Sequence, residues 1–221
     1  MTVTTELWAR GAAITRSLVP RPRAEHGRSP SVVGGVPPAA IVRCRSVEQV
    51  VTGLGIARRS GLRVRVGCAG HGDGGVASRG AGPLVIDLCA VGEVAVDARA
   101  RTARVGAAAS FAAVDAATAA HGLGEPRLVG AEIVTADGLV RRVGPESDPD
   151  LFAALLGGGT GLGTVTRVDL ALRPRRVGRR PHPGLDVLTA VADRRALTGR
   201  ERERREIVRR AYDPEGLFAP V

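Results

Sequence analysis

Residues 67–75 read Gly67-Cys68-Ala69-Gly70-His71-Gly72-Asp73-Gly74-Gly75. Side chains this small leave backbone N–H groups free to approach an anion closely, so the run suits the grip of a phosphate or pyrophosphate. His71 would stand beside whatever phosphate or ring the loop holds. Gly70, Gly72 and Gly75 satisfy G-x-G-x-x-G formally, but Val76 to Pro83 that follow are not a helix start. The doubly wound nucleotide fold requires that helix, so its motif is not met. A second cluster, Gly157-Gly158-Gly159-Thr160-Gly161-Leu162-Gly163, lies between a helix and a strand, the reverse order for that fold. From spacing alone, either cluster reads equally well as a turn.

The elements that must position these loops follow from periodicity. Leu62 to Val66 alternates Leu/Val with Arg, as a half-buried strand does, and runs directly into the first glycine loop. Ahead of it, Ser46-Val47-Glu48-Gln49 has the form of a capping box, and Val47, Val50, Val51, Leu54 and Ala57 recur at helical spacing, which predicts a helix over 46–59 closed by Gly61. Strands are expected at Leu84 to Leu88, Val94 to Val96 and Thr102 to Gly106, then an alanine-rich helix capped by Ser110 and ending near His121-Gly122. Leu128 to Thr135 and Leu139 to Val143 flank Ala136-Asp137-Gly138, a hairpin turn. Asp148-Pro149-Asp150 supplies an N-cap, a proline at the first helical position and a dipole-compatible acid for a helix through Leu156, and strand Thr164 to Leu172 follows the second glycine cluster. The pattern predicts an α+β fold with adjacent strand pairs and no internal repeat.

Composition removes several reaction classes. The 221 residues include 32 basic ones, and every one is arginine. A Walker-type phosphate lysine, a Schiff-base lysine and a lysine general base are therefore all ruled out. Cys44, Cys68 and Cys89 are far apart and never in a Cys-x-x-Cys pair, so neither a disulfide framework nor a zinc site is expected. His26, His71, His121 and His182 show no ligand spacing, and no metal is expected. No stretch approaches the ~18 apolar residues of a membrane span, and a reducing cytoplasm is the expected location. Aromatics are limited to Trp8, Phe111, Phe152, Tyr212 and Phe218, so core filling falls to Ala, Val and Leu.

Charge concentrates in residues 173–210, with 13 arginines against 5 acids. Arg173-Pro174-Arg175-Arg176 through Arg179-Arg180-Pro181-His182-Pro183 is punctuated by proline and reads as a linker, which places a boundary near 173–184. Gly199 to Tyr212 mixes Glu and Arg at helical spacings and reads as a solvated helix whose charges pair along its surface.

Several ordered stretches together resemble a family: PPAAIVRCRSVEQVVTGLGIARRSGLRVRVGCAGHG, LVIDL, ARTARVGAAASFAAVDAATAAHGLG, LVGAEIVTADGLV, DPDLFAALLGGGTGLGTVTRVDLAL and a terminal YDPEGLF. The family is the FAD-linked oxidases of the p-cresol methylhydroxylase/vanillyl-alcohol oxidase superfamily, in the berberine-bridge-enzyme-like branch. The resemblance implies an N-terminal segment at 1–36, an FAD-binding domain of two α+β subdomains at 37–172, an Arg/Pro-rich linker and remnant of a substrate domain at 173–204, and a berberine-bridge-like tail at 205–221. It implies FAD as cofactor, with the pyrophosphate on Gly67, Cys68, Ala69, Gly70, His71 and Gly72, the flavin ring methyl bonded covalently to His71, and Val134 against the nucleotide end.

The chain also departs from the family. Cys68 and Ala69 stand where glycine is usual, and Gly72 where a hydroxyl residue is. Gly124-Glu125-Pro126-Arg127 directly joins segments between which the family carries a second glycine-rich stretch. The sheet that normally carries catalytic tyrosines and bases is replaced by residues 173–204, so the resemblance nominates no general base.

Three readings stay open. One is an FAD-dependent oxidoreductase that transfers hydride from a small organic substrate, its pocket completed by a partner or a second copy. Another is a catalytically inert relative that retains at most partial FAD binding. The third is a nucleic-acid-binding protein using residues 173–210, ranked last because basicity made only of arginine fits a compositional bias of the whole chain.

Overall fold

The computed structural model describes residues 13–15, 38–67, 82–88, 90–157, 161–175 and 198–218. Within them β1 (Ala13–Thr15), β2 (Ala40–Arg43), β3 (Val64–Gly67) and β4 (Leu84–Asp87) form one sheet in the order β1-β2-β4-β3. β2 and β3 both run parallel to β4, and β1 is antiparallel to β2. All four residues of β4 are buried, as a central parallel strand covered on both faces requires.

Helix α1 (Val47–Arg59) crosses from β2 to β3 and buries Val50, Gly53, Leu54, Ile56 and Ala57. At Gly53 an added Cβ would stand 2.6 Å from Ile86 Cδ1, so the glycine sets how closely the helix lies on the sheet. The N-terminus of α1 corrects the expected capping box. The Ser46 side chain makes no cap hydrogen bond, and Gln49 Oε1 instead accepts from Arg45 N at 2.7 Å. The Ser46 hydroxyl bonds the Glu48 carboxylate, which it holds below its ordinary range with help from a backbone N–H and from Arg167.

The second sheet joins β5 (Val94–Asp97), β6 (Thr102–Gly106), β7 (Leu123–Val134), β8 (Val140–Val143) and β9 (Thr164–Pro174) in the order β5-β6-β9-β7-β8, antiparallel throughout. The α+β class holds, but the expectation of adjacent strand pairs holds only in part. β4 separates β2 from β3, and β9 separates β6 from β7, because each inserted strand is apolar enough to take the central place.

β7 starts at Leu123 rather than Leu128. Gly124-Glu125-Pro126-Arg127 becomes a bulged stretch inside it, with a register shift between Gly124 and Arg127 and Glu125 at φ +48. The chain thus turns at Gly122 (φ +67) and runs straight into the strand, with no loop between.

Helices α2 (Phe111–Ala119), α3 (Pro149–Leu156) and α4 (Gly199–Tyr212) complete the described elements. Ser110 and Asp148 cap α2 and α3 as expected, accepting from Ala113 N at 3.1 Å and Leu151 N at 3.2 Å. α4 opens with a complete capping box between Thr198 and Glu201. Part of its charge pairs as expected, since Glu206 binds both Arg209 and Arg210, and these hydrogen bonds lower its carboxyl to about 2. Arg204 reaches across to Asp150 of α3, and Arg175, which the sequence placed in a linker, follows β9 directly and makes two bonds to Asp115. Residues 176–197 lie outside the described residues.

Two apolar cores result. One packs Leu151, Leu155, Leu162 and Val208 on the second sheet's Ile133, Val165, Val168 and Leu170. The other packs Leu54 and Ile56 with Val42, Leu84 and Ile86, and draws in Val134 of β7, Ala107 and Ala136 just past β6 and β7, and Leu217 and Phe218 from the C-terminal segment. The buried Asp213 carboxylate accepts from Leu217 N at 2.6 Å and Phe218 N at 2.9 Å, and Phe218 forms a parallel bridge to Val64.

Candidate functional site

The carboxyl ends of β2, β3 and β4 lie side by side, which is where parallel sheets bind ligands. Cys44 N donates to Asp87 O at 2.8 Å, and Leu88 N donates to Gly67 O at 2.9 Å. Gly67 is therefore at this edge, where it opens the glycine-rich run. An added Cβ there would meet only Val85 Cγ1 at 3.7 Å, ordinary contact, so close packing does not demand a glycine at this position. Cys68, Ala69, Gly70, His71 and Gly72 lie outside the described residues.

Asp87 is buried at the same edge, with Arg43 Nε 3.5 Å from its carboxylate. Burial first, and the Asp87 charge second, push the neighbouring Cys44 thiol up to about 12. Cys44 is thus a neutral packing residue with no nucleophilic role.

A chain of backbone bonds links this edge to the second sheet. Val91 N donates to Leu88 O at 2.7 Å, Ala108 N to Val91 O at 2.8 Å, and Ala107 N to Thr166 O at 3.0 Å. β9 begins beside this path. Thr164 pairs with Val134 in register, and both are fully buried. Directly opposed residues of an antiparallel pair project from the same face, so Thr164 shares the face of Val134, which belongs to the core between the sheets. An added Cβ on Gly163 would fall 2.6 Å from Val134 O, so the turn into β9 lies hard against the end of β7.

Thr166, two residues on, donates to Glu132 Oε1 at 2.8 Å. Thr164 Oγ1 has no hydrogen-bond partner among the described residues. Sequence reasoning read Thr164 only as the first residue of a strand. The extra residue between the Glu132–Arg167 and Ile133–Val165 pairs breaks the alternation that would have assigned its face.

The hairpin after Val134 is held by Asp137, which accepts from Thr135 Oγ1 at 2.6 Å, Leu139 N at 3.0 Å and an Arg141 guanidinium N at 2.7 Å. Burial opposes the Asp137 charge, and these bonds outweigh it, leaving the carboxyl below its ordinary range. Among the described residues no group of three or more His, Cys, Asp or Glu side chains could hold a metal ion. Nor is any described helix long and apolar enough to cross a membrane.

Residues 38–126 match a family model described as an FAD binding domain. Over 165 residues the chain is 30% identical to an FAD-dependent monooxygenase of Fusarium proliferatum, which covers 61% of this chain and 32% of that protein. It is 28% identical over 165 residues to (R)-6-hydroxynicotine oxidase of Paenarthrobacter nicotinovorans, covering 61% of this chain and 36% of that one. The chain thus spans about a third of the length of the curated relatives it matches. Among solved structures, a berberine-bridge-enzyme-like protein of Physcomitrella patens superposes with a TM-score of 0.64 at 19% identity, over 78% of this chain and 44% of that one, a likeness of fold.

The described residues fit the cofactor that this domain takes. The carboxyl edge of a parallel sheet opens a glycine-rich run at Gly67, and a buried hydroxyl without a partner, Thr164 Oγ1, lies on the face of β9 turned to that sheet.

Proposed function

We propose that the chain, which matches an FAD binding domain over residues 38–126, is a member of the FAD-linked oxidases of the p-cresol methylhydroxylase/vanillyl-alcohol oxidase superfamily and an FAD-dependent oxidoreductase acting on a small organic substrate. The observation that carries this reading is the position of Gly67, where the glycine-rich run leaves the carboxyl end of β3 beside β4. Main-chain donors from Gly67, Cys68, Ala69, Gly70, His71 and Gly72 would hold the pyrophosphate, and Val134 would pack on the nucleotide end. His71 is the candidate for covalent attachment to the ring methyl. When bound, the flavin supplies a two-electron acceptor for hydride.

The chain's own residues would bind and orient. Asp87 is neutralised in part by Arg43, which limits its repulsion of a phosphate at the same edge. Cys44, held protonated, adds no charge there. We place the FAD-binding unit at 37–172, flanked by a segment at 1–36, a linker and substrate-domain remnant at 173–204 and a tail at 205–221, with a second copy or a partner completing the pocket. The similarity to a nicotine oxidase supports a small organic substrate. The free thiol of Cys44 and the odd number of cysteines support a reducing, cytoplasmic setting.

The test is an absorbance spectrum of the purified protein after incubation with FAD and gel filtration. Flavin bands that travel with the protein support the reading, and their absence overturns it. Colour retained in the acid precipitate of wild type but lost in His71→Ala supports attachment through His71.

Two observations favour an inert relative as a second reading. β7 runs through Gly124–Arg127 without a loop, and the hydroxyl of Tyr212, the sole tyrosine, is committed to Asp148. Turnover of any alcohol, sugar or amine by the flavin-loaded protein would refute it.

A further inference from the structure

Thr164 differs from every other buried polar side chain among the described residues. Thr118 donates to Asp115 O at 3.2 Å, Thr135 to Asp137, Thr166 to Glu132, Asp213 accepts from two backbone N–H groups, Asp87 meets Arg43, and Arg65 is also engaged. Thr164 Oγ1 alone is left without a partner, at 0% exposure.

A buried hydroxyl in that state costs stability that a valine of the same shape would not, so such a group calls for a ligand or another explanation. Its surroundings narrow the ligand. Thr164 shares its face with Val134, within a core that also contains Ala107 and Leu88, and the backbone path from the carboxyl edge of β4 ends at Thr166, two residues away. An aliphatic wall with one hydroxyl suits a flat heteroaromatic ring that has a polar edge. It does not suit a phosphate, which needs several donors or a positive charge.

We propose that Thr164 Oγ1 is a hydrogen-bonding contact for a ring of the bound dinucleotide, made on the β9 side of the seam between the two sheets. The proposal rests on the FAD-binding reading above. It adds a hydrogen-bonding side chain from the second sheet beside Val134, whose contribution to the site is only aliphatic. The adenine and the isoalloxazine ring share the required chemistry, a polar ring edge, and separate probes distinguish them.

The experiment compares wild type, Thr164→Val and Thr164→Ser. Flavin-fluorescence quenching gives FAD affinity, thermal melts of the unliganded proteins give stability, and ADP and FMN serve as half-molecule probes. The loss expected for Thr164→Val is about threefold to tenfold in FAD affinity, the range of one neutral hydrogen bond. Its unliganded midpoint should rise, because the orphaned hydroxyl is gone, and Thr164→Ser should keep wild-type affinity. The loss recurs with ADP if the contact is to adenine, and with FMN if it is to the isoalloxazine.

Equal FAD affinity in wild type and Thr164→Val overturns the proposal while leaving FAD binding intact. So does a lower unliganded midpoint for Thr164→Val, the mark of a structural hydroxyl. Failure of wild type to bind FAD overturns the FAD-binding reading, and this inference with it.

Discussion

Tyr212, at the end of α4, donates its phenolic proton to Asp148 Oδ2 at 2.5 Å, while the other oxygen of Asp148 caps α3 through Leu151 N. One carboxylate thus ties the C-terminal helix to the start of the helix it packs on. Arg141 stacks over the same ring, 5.2 Å from its centroid. The hydrogen bond to Asp148, then burial, raises the Tyr212 hydroxyl above its ordinary value. A raised pKa contributes stability that is fully present below the unfolded-state value and lost as pH rises through the folded one. Tyr212→Phe should therefore cost about 1 kcal/mol near neutrality, and urea unfolding should find that difference shrinking well above the ordinary tyrosine range. A pH-independent difference would contradict the bond's role.

Asp213 has the larger effect on the same terminus. Its buried carboxylate satisfies Leu217 N and Phe218 N, which lets Phe218 bridge to Val64 of β3. Asp213→Ala leaves both donors without acceptors and should cost about 2–4 kcal/mol in denaturant unfolding. A loss no larger than that of an exposed substitution would show that water takes over the two bonds.

The seam is set by close backbone approach. Gly163→Ala would place a methyl 2.6 Å from Val134 O and 2.9 Å from Ile133 side-chain carbons. Backbone at the end of β7 cannot yield as a side-chain tip can, so a destabilisation of about 1–3 kcal/mol is expected. FAD affinity, measured by fluorescence quenching, should fall as well, because the substitution moves Val134 and Thr164 apart.

Cys44 should resist alkylation in the native protein. With its thiol pushed up to about 12, little thiolate exists near pH 8, and burial hides what there is. Peptide mapping after iodoacetamide treatment should find Cys44 unlabelled until the protein is denatured. Native labelling at the rate of a free peptide thiol would contradict the buried position.

Local signals were legible wherever a few neighbouring residues decide the outcome. Ser110, Asp148-Pro149 and Ala136-Asp137-Gly138 announce their caps and turn because each acts through hydrogen bonds within three or four residues. The resemblance carried by the ordered stretches from Pro37 to Leu172 and the terminal YDPEGLF pointed to FAD, and the family match over 38–126 agrees. Even among local features, the expected capping box at Ser46 failed, because that hydroxyl is drawn to Glu48 instead.

What the chain's order of residues determined by itself was the type of most of the helices and strands between residues 40 and 172, and that a run of small residues follows β3 at Gly67. Tertiary structure alone decided that β4 lies between β2 and β3, that Gly124–Arg127 is absorbed into β7 as a bulge, and that Thr164 is buried without a partner opposite Val134. The reason is range. A cap or turn is settled by neighbours along the chain, whereas strand order, and the face on which a side chain falls after a bulge, depend on partners many residues away that meet only once the sheets have packed.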